Sequence, residues 1–132
     1  MSTHRFPVRI YYEDTDFSGY VYHAAYLKFF ERGRTEFLRD LGIHHVELIQ
    51  EGIAFAVRKM EIDFLGAARI DDLLSVETKV AEATPVRLVL DQTIIREETV
   101  LTKARVLVVA IKTSGGPVRL PAGLRALLQG ET

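Results

Sequence analysis

The sequence predicts an α+β fold in which an antiparallel β-sheet wraps around one long central α-helix. Three observations carry that expectation. From roughly His23 to Leu41, apolar residues recur at spacings of about three to four. Four later segments, Ile53–Leu65, Leu73–Ala83, Val86–Arg96 and Val100–Lys112, alternate or run apolar and are rich in β-branched residues. The gaps between them, "GAARIDD", "TP" and "EET", are short, which favours antiparallel neighbours. A lone amphipathic helix must cover an apolar sheet face, and a curved sheet around it is the natural solution. Other α+β arrangements share the same order of elements.

Taken in order, "FPVRIYY" (Phe6–Tyr12) reads as a first strand, with Pro7 tolerable at its start or on an edge. Asp14 to Gly19 is rich in turn residues. The helix follows, with Ala25, Phe29, Phe30, Phe37, Leu38 and Leu41 on one side and Glu31, Arg32, Arg34, Arg39 and Asp40 on the other. Gly42 is a C-terminal stop. "HHVELIQEG" adds a short second helix ending at Gly52. In Ile53–Leu65 the apolar parity changes: Ile53, Phe55 and Val57 share one phase, and Met60, Ile62 and Phe64 the other. Either a bulge near Arg58–Lys59 switches the phase or both faces are buried at different ends. "SGGP" closes the last strand, and Leu124–Leu128 forms a terminal helical turn. No repeat or linker divides the chain, so one domain is expected over residues 1–132.

Composition narrows the function. Hydrophobic residues make up 48% and charged residues 27%, ordinary globular values, and the net charge is -1, which gives no reason to expect nucleic acid as a partner. No cysteine is present, which excludes disulfides, thiolate nucleophiles and cysteine-held metal. The start, "MSTHRFPVRI", lacks a secretory pattern, and the longest apolar run, Val106–Ile111, falls far short of the roughly 20 residues that cross a bilayer. The expectation is a cytoplasmic protein without membrane insertion.

The chemistry is concentrated in "YYEDTDFSGYVYH", Tyr11 to His23, which holds three acids, four tyrosines, one glycine and one histidine. Asp14 and Asp16 are two apart and point the same way in extended chain. Gly19 permits a backbone conformation closed to other residues. The helix begins near Tyr22 or His23 with no Ser, Thr, Asp or Asn immediately before it, so its first amides lack a side-chain cap. Bare amides at a helix start favour negative charge, and beside a carboxylate they could stabilise an oxyanion while the carboxylate attacks or activates water. The plainer reading makes Asp14 and Asp16 turn formers and His23 a partly exposed helix residue.

Residues Val8–Ile43, "VRIYYEDTDFSGYVYHAAYLKFFERGRTEFLRDLGI", strongly resemble the start of the hotdog-fold acyl-CoA thioesterases, in particular the YbgC-type, Tol-Pal-associated branch; the hydroxybenzoyl-CoA thioesterases are more distant relatives. "FAVRKMEIDFLGAARIDDLL" at Phe55–Leu74 continues the resemblance, while later strands match mainly in pattern. The resemblance implies a hotdog fold, hydrolysis of acyl-CoA to free acid and CoA, no cofactor or metal, and a homodimer or homotetramer whose sites use residues of both chains. It implies Asp16 as general base or nucleophile, His23 with its backbone N–H polarising the thioester carbonyl, and supporting places for Tyr12 and Gly19. Ser18, Phe17 and Tyr20 depart from the branch, which commonly has a glycine at the first and smaller residues at the other two; this bears on acyl preference. Two alternatives remain: a non-catalytic hotdog module binding acyl-CoA or a partner, and a thioesterase acting on acyl-carrier-protein thioesters. A dehydratase is a third, but its usual histidine–acid pairing is absent.

Other residues invite plainer readings. Arg58, Lys59 and Arg87 could meet coenzyme A phosphates, against the common role of solvated strand charge. His44 and His45 are sequence neighbours and do not share a helix face, so surface or capping roles are simpler than metal ligation. His4 is expected in a mobile terminus. Arg32, Glu36 and Arg39 have ion-pair spacing. Mid-helix Gly33 calls for a compensating close approach by the sheet. The edge expected to join two copies is Ile53–Leu65.

Overall fold

The computed structural model describes residues 3–132. Five strands and three α-helices follow in the order β1 (His4–Arg9), α1 (His23–Asp40), α2 (His45–Gln50), β2 (Ile53–Phe64), β3 (Leu73–Ala83), β4 (Leu88–Arg96), β5 (Thr99–Lys112) and α3 (Ala122–Gln129). The strands form one antiparallel sheet in the order β1-β3-β4-β5-β2.

Three expectations need correction. The first strand ends at Arg9, and Tyr12–Asp14 turn into a single 3-10 turn, in which Tyr11 N–H donates to Asp14 Oδ2 at 2.8 Å. An acid three residues ahead draws the backbone out of the ladder. The short "GAARIDD" gap also does not join neighbours: β2 pairs with β5 and β3 with β1 and β4. That connection instead packs against the loop before α1, and Ala68 within it is buried. His4 is not in a mobile tail either. It opens β1, packs its ring edge-on to Phe37 at 5.9 Å, and its Nε2 lies 2.9 Å from Asp40 Oδ2.

The phase change in β2 is a bulge. The pairing with β5 slips between Val57 and Lys59, so Val57 and Met60 both serve the face toward α1. Pro7 sits on an edge strand, where its missing N–H costs no ladder bond.

Helix α1 buries Ala25, Tyr26, Phe29, Phe30, Gly33, Phe37 and Leu38, the three-to-four repeat that the sequence shows. They meet the sheet through Leu74, Val76, Leu90, Ile94 and Val106. Each large apolar side chain so buried contributes about 1.5–3 kcal/mol. Gly33 marks the closest approach: a Cβ there would lie 2.6 Å from Val76 Cγ1. That contact brings Gln92 under the helix, where its Nε2 donates to Phe30 O at 3.0 Å and Thr78 Oγ1 at 2.9 Å, while Arg34 donates to its Oε1 at 3.0 Å. Gly42 and Gly52 end α1 and α2 with φ of +81° each.

Candidate active site

The loop between β1 and α1 is pinned on both sides. Thr15 bridges to Val21, and Asp16 N–H donates to Tyr20 O at 2.9 Å, which closes a tight hairpin-like turn. Gly19 completes it with φ of +84°; its N–H donates to Asp16 O. An added Cβ there would meet nothing within 4 Å, so the glycine serves backbone conformation and not space. The outer flank is the β2–β3 connection: Val21 N–H reaches Ala68 O, Ile70 N–H reaches Gly19 O, and Tyr20 bridges to Arg69. Asp72 anchors that connection by accepting from the Arg69 amide and from Arg96, both at 2.9 Å. Burial alone would raise the Asp72 carboxyl; those bonds outweigh it and hold it below the usual range.

Asp16 is exposed. Its Oδ1 accepts from Ser18 N–H at 2.8 Å and from the Ser18 hydroxyl in a very short bond. The hydroxyl first and the amide second hold the carboxyl below its ordinary range. Among the described residues, Oδ2 has no partner. Helix α1 begins two residues after Val21. Its N-cap, Tyr22, makes no side-chain cap, no acid lies in the first turn, and Ala25 N–H turns back to Tyr22 O. The His23 and Ala24 amides meet no acceptor among the described residues. The His23 ring stacks on Phe64, at the end of β2, with centroids 4.5 Å apart. Tyr26 also touches Phe64 and accepts from Ala68 N–H at 2.9 Å, tying helix, strand and connection together; burial pushes its phenol up.

The sequence-derived residues divide. Asp16, Gly19 and His23 share this small region. Tyr12 lies in the preceding turn, 78% exposed, and its carbonyl accepts from Thr15 N–H and Oγ1. Lys59 and Arg87 flank a shallow pocket with Arg105 on the sheet face away from α1, since Val89 and Leu107 beside them alternate with the inward Leu88, Leu90 and Val108. Arg87 forms a two-armed pair with Glu82, and Lys59 pairs with Glu61. Arg58 falls in the β2 bulge.

A cavity of about 580 Å³ lies elsewhere. It is formed by the second half of α1, α2 and the start of β2, with Arg34, Thr35, Leu38, Phe55 and Val108 among its walls. His44 and His45 line it too, and His45 packs on Phe55. Sequence reading named Tyr20 and Ser18 only for acyl preference, and passed over Phe64, Arg69 and the capping role of Ser18. A serine two residues after an aspartate is the signal for that last contact.

A family model of the thioesterase superfamily matches residues 18–103. The chain is 46% identical to the acyl-CoA thioesterase YbgC of Haemophilus influenzae over 92% of its own length and 90% of that protein. The chain belongs to the thioesterase superfamily. The acyl-CoA thioester hydrolase YbgC of Escherichia coli O157:H7 is likewise 46% identical, over 81% of each chain. A probable thioesterase from Bartonella henselae superposes with a TM-score of 0.88 at 46% identity, covering 91% of this chain and all of that one. The sheet wrapped on α1 is the hotdog fold. The family match begins at Ser18, two residues after Asp16, and so covers the helix and sheet more than the carboxylate.

Proposed function

We propose that this chain hydrolyses acyl-CoA thioesters with Asp16 as the attacking or water-activating carboxylate and the start of α1 as the oxyanion site. The observation that carries this reading is the pair of acceptor-free amides at His23 and Ala24, two residues beyond the turn that presents an ionised carboxylate. Negative charge developing on the thioester oxygen meets the His23 amide and the positive helix end. One such donor typically supplies about 2.7–4 kcal/mol of transition-state stabilisation. A thiolate leaves without a strong acid beside it. The Ser18 bonds favour Asp16 in its ionised form, which direct attack and water activation both require. Gly19 shapes the turn, and Tyr12 anchors its entry.

Among the described residues of a single chain, Asp16, Tyr22 and His23 stay exposed on the open side of the site. We assign the wall on that side to a second copy. Strand β2 is an edge strand of the sheet. It starts at the 580 Å³ cavity and ends on His23. Antiparallel self-pairing about its middle sets the start of one β2 beside the end of the other. Each cavity then faces the helix start of the partner subunit and receives the acyl group. No helix among the described residues is long and apolar enough to cross a membrane. We place the enzyme in the cytoplasm, where acyl-CoA is held.

The test is Asp16→Asn assayed by thiol release on a panel of acyl-CoAs, short to long and aromatic. The expected loss is about 1,000-fold or more, with an unchanged circular dichroism spectrum. Turnover near that of the unmodified protein would remove Asp16 from the chemistry.

A further inference from the structure

Two of the cations suggested by the sequence for substrate phosphates, Lys59 and Arg87, are engaged, whereas one beside the catalytic turn is available. Arg87 is held by Glu82 and Lys59 by Glu61, both on the face away from α1. Arg69 is exposed on the β2–β3 connection. Its guanidinium lies 5.1 Å from the Tyr20 ring centroid and donates once, to Tyr20 Oη at 3.1 Å. Among the described residues no carboxylate sits within ion-pair distance of its guanidinium; Asp72, whose charge acts on Arg69 from further off, accepts from Arg96 and from the Arg69 amide. Most of its N–H donors therefore point to solvent, in a fork suited to phosphate.

We propose that Arg69 receives the phosphate of the phosphopantetheine arm, the element common to coenzyme A and acyl carrier protein. This rests on the thioesterase reading above. The spacing is commensurate. Asp16 bonds to Tyr20, and Tyr20 bridges to Arg69, so three backbone segments lie side by side. Two such spacings come to about 10 Å, and the guanidinium, turned onto the Tyr20 ring, lies within that span or a few ångström beyond it. The arm from thioester sulfur to its phosphate spans roughly 15 Å by bond count. A thioester at the helix start thus lays its phosphate within reach of Arg69. The Tyr20 ring holds the guanidinium in place beforehand, which lowers the ordering cost of binding.

The experiment compares one acyl group carried on coenzyme A, on 4′-phosphopantetheine and on pantetheine, together with direct binding of free coenzyme A and of 4′-phosphopantetheine. Arg69→Ala should lower kcat/KM about 10- to 30-fold on both phosphorylated carriers, mainly through KM, and leave the pantetheine thioester unchanged. Arg69→Lys should restore part of the loss. Tyr20→Phe should have a smaller effect, because it keeps the charge and the ring. An equal loss on all three carriers would make Arg69 a structural clamp on the catalytic turn and overturn the proposal. A loss confined to coenzyme A would assign Arg69 to the nucleotide phosphates and overturn it as well. The two readings separate cleanly. If no carrier is hydrolysed but free coenzyme A binds the native chain and not Arg69→Ala, the hydrolase reading fails and this one stands. If hydrolysis is normal and Arg69→Ala alters neither binding nor turnover, the reverse holds.

Discussion

The two ends of helix α1 differ in a way that explains the molecule. At its start lie bare amides, an exposed carboxylate on a glycine turn and an aromatic stack, all open to solvent. Along its second half lies a cavity of about 580 Å³ whose apolar walls, Leu38, Phe55, Leu88 and Leu90 among them, are joined by Glu31, Arg34, His44 and His45. One end has the groups proposed to react but no enclosure, and the other has an enclosure away from that carboxylate and those amides. Catalysis of acyl transfer in a water-excluded site needs both. The helix rises about 1.5 Å per residue, so the eleven steps from His23 to Arg34 separate them by roughly 16 Å within one chain. Strand β2 runs the same course, from the cavity to His23, with a free edge. A two-fold across that edge is the simplest way to join the unlike ends.

The sharpest way to break that account is subunit complementation. Asp16→Asn removes the reacting group, and Thr35→Phe fills the cavity from its helical wall. Each variant alone should be nearly inactive, the second on all but the smallest acyl groups. In a mixed dimer paired across chains, one site keeps both an intact carboxylate and an open cavity. Refolding the variants together at equal amounts should recover roughly a quarter of native activity, since half the dimers are mixed and each has one working site of two. If each chain uses its own cavity, mixing recovers nothing. Light scattering of the native protein should show at least twice the chain mass of 14.9 kDa.

Much of this architecture was readable from the chain, and the gaps have physical causes. The α1 face, its glycine stop and the bare helix start each leave a local signature that period and residue type reveal, while the phase change in β2 offers a bulge as one of two readings. The sheet order does not. Whether β2 lies beside β3 or β5 is decided by which pairing lets the sheet close over α1, a global matter that a seven-residue gap cannot report. The residues missed at the site fail for the same reason. Arg69 and Phe64 are 46 and 41 positions from His23 in sequence, and only the packed connection brings them to it. Pairing of Lys59 with Glu61 and of Arg87 with Glu82 is short-range, and the spacing could have signalled both.

Between the two ends, Gly33 sets how closely the helix lies on the sheet. Gly33→Ala should gain about 1 kcal/mol of helix propensity yet bring a methyl to 2.6 Å from Val76 Cγ1. Overpacking of that kind costs about 1–3 kcal/mol, so the net effect is destabilising by up to about 2 kcal/mol, read as a lowered urea midpoint. A stabilised variant would show that the helix shifts freely on the sheet, and the fixed separation of its ends would lose its basis. Val76→Ala in the same background should recover part of the loss by making room.

The smallest effect expected belongs to the open end. The Ser18 hydroxyl is the chief cause of the lowered Asp16 pKa, with the Ser18 amide second. A lowered carboxylate stays ionised as pH falls below the ordinary carboxylate range and loses its charge only on passing through its own pKa. Activity that needs the ionised form is therefore retained further into acid than for an unassisted aspartate. Ser18→Ala removes the hydroxyl and keeps the amide bond. The acid limb of kcat/KM should move to higher pH, while the rate near neutrality, where Asp16 is ionised in both proteins, changes by less than about threefold. Brief assays at each pH, with the protein returned to neutrality and re-assayed, separate titration from acid unfolding. An acid limb that does not move means that Ser18 orients the turn without tuning its charge. A limb that moves together with a large loss at neutrality means that the hydroxyl holds the carboxylate in its attacking position, and the open end is then more finely built than its exposure implies.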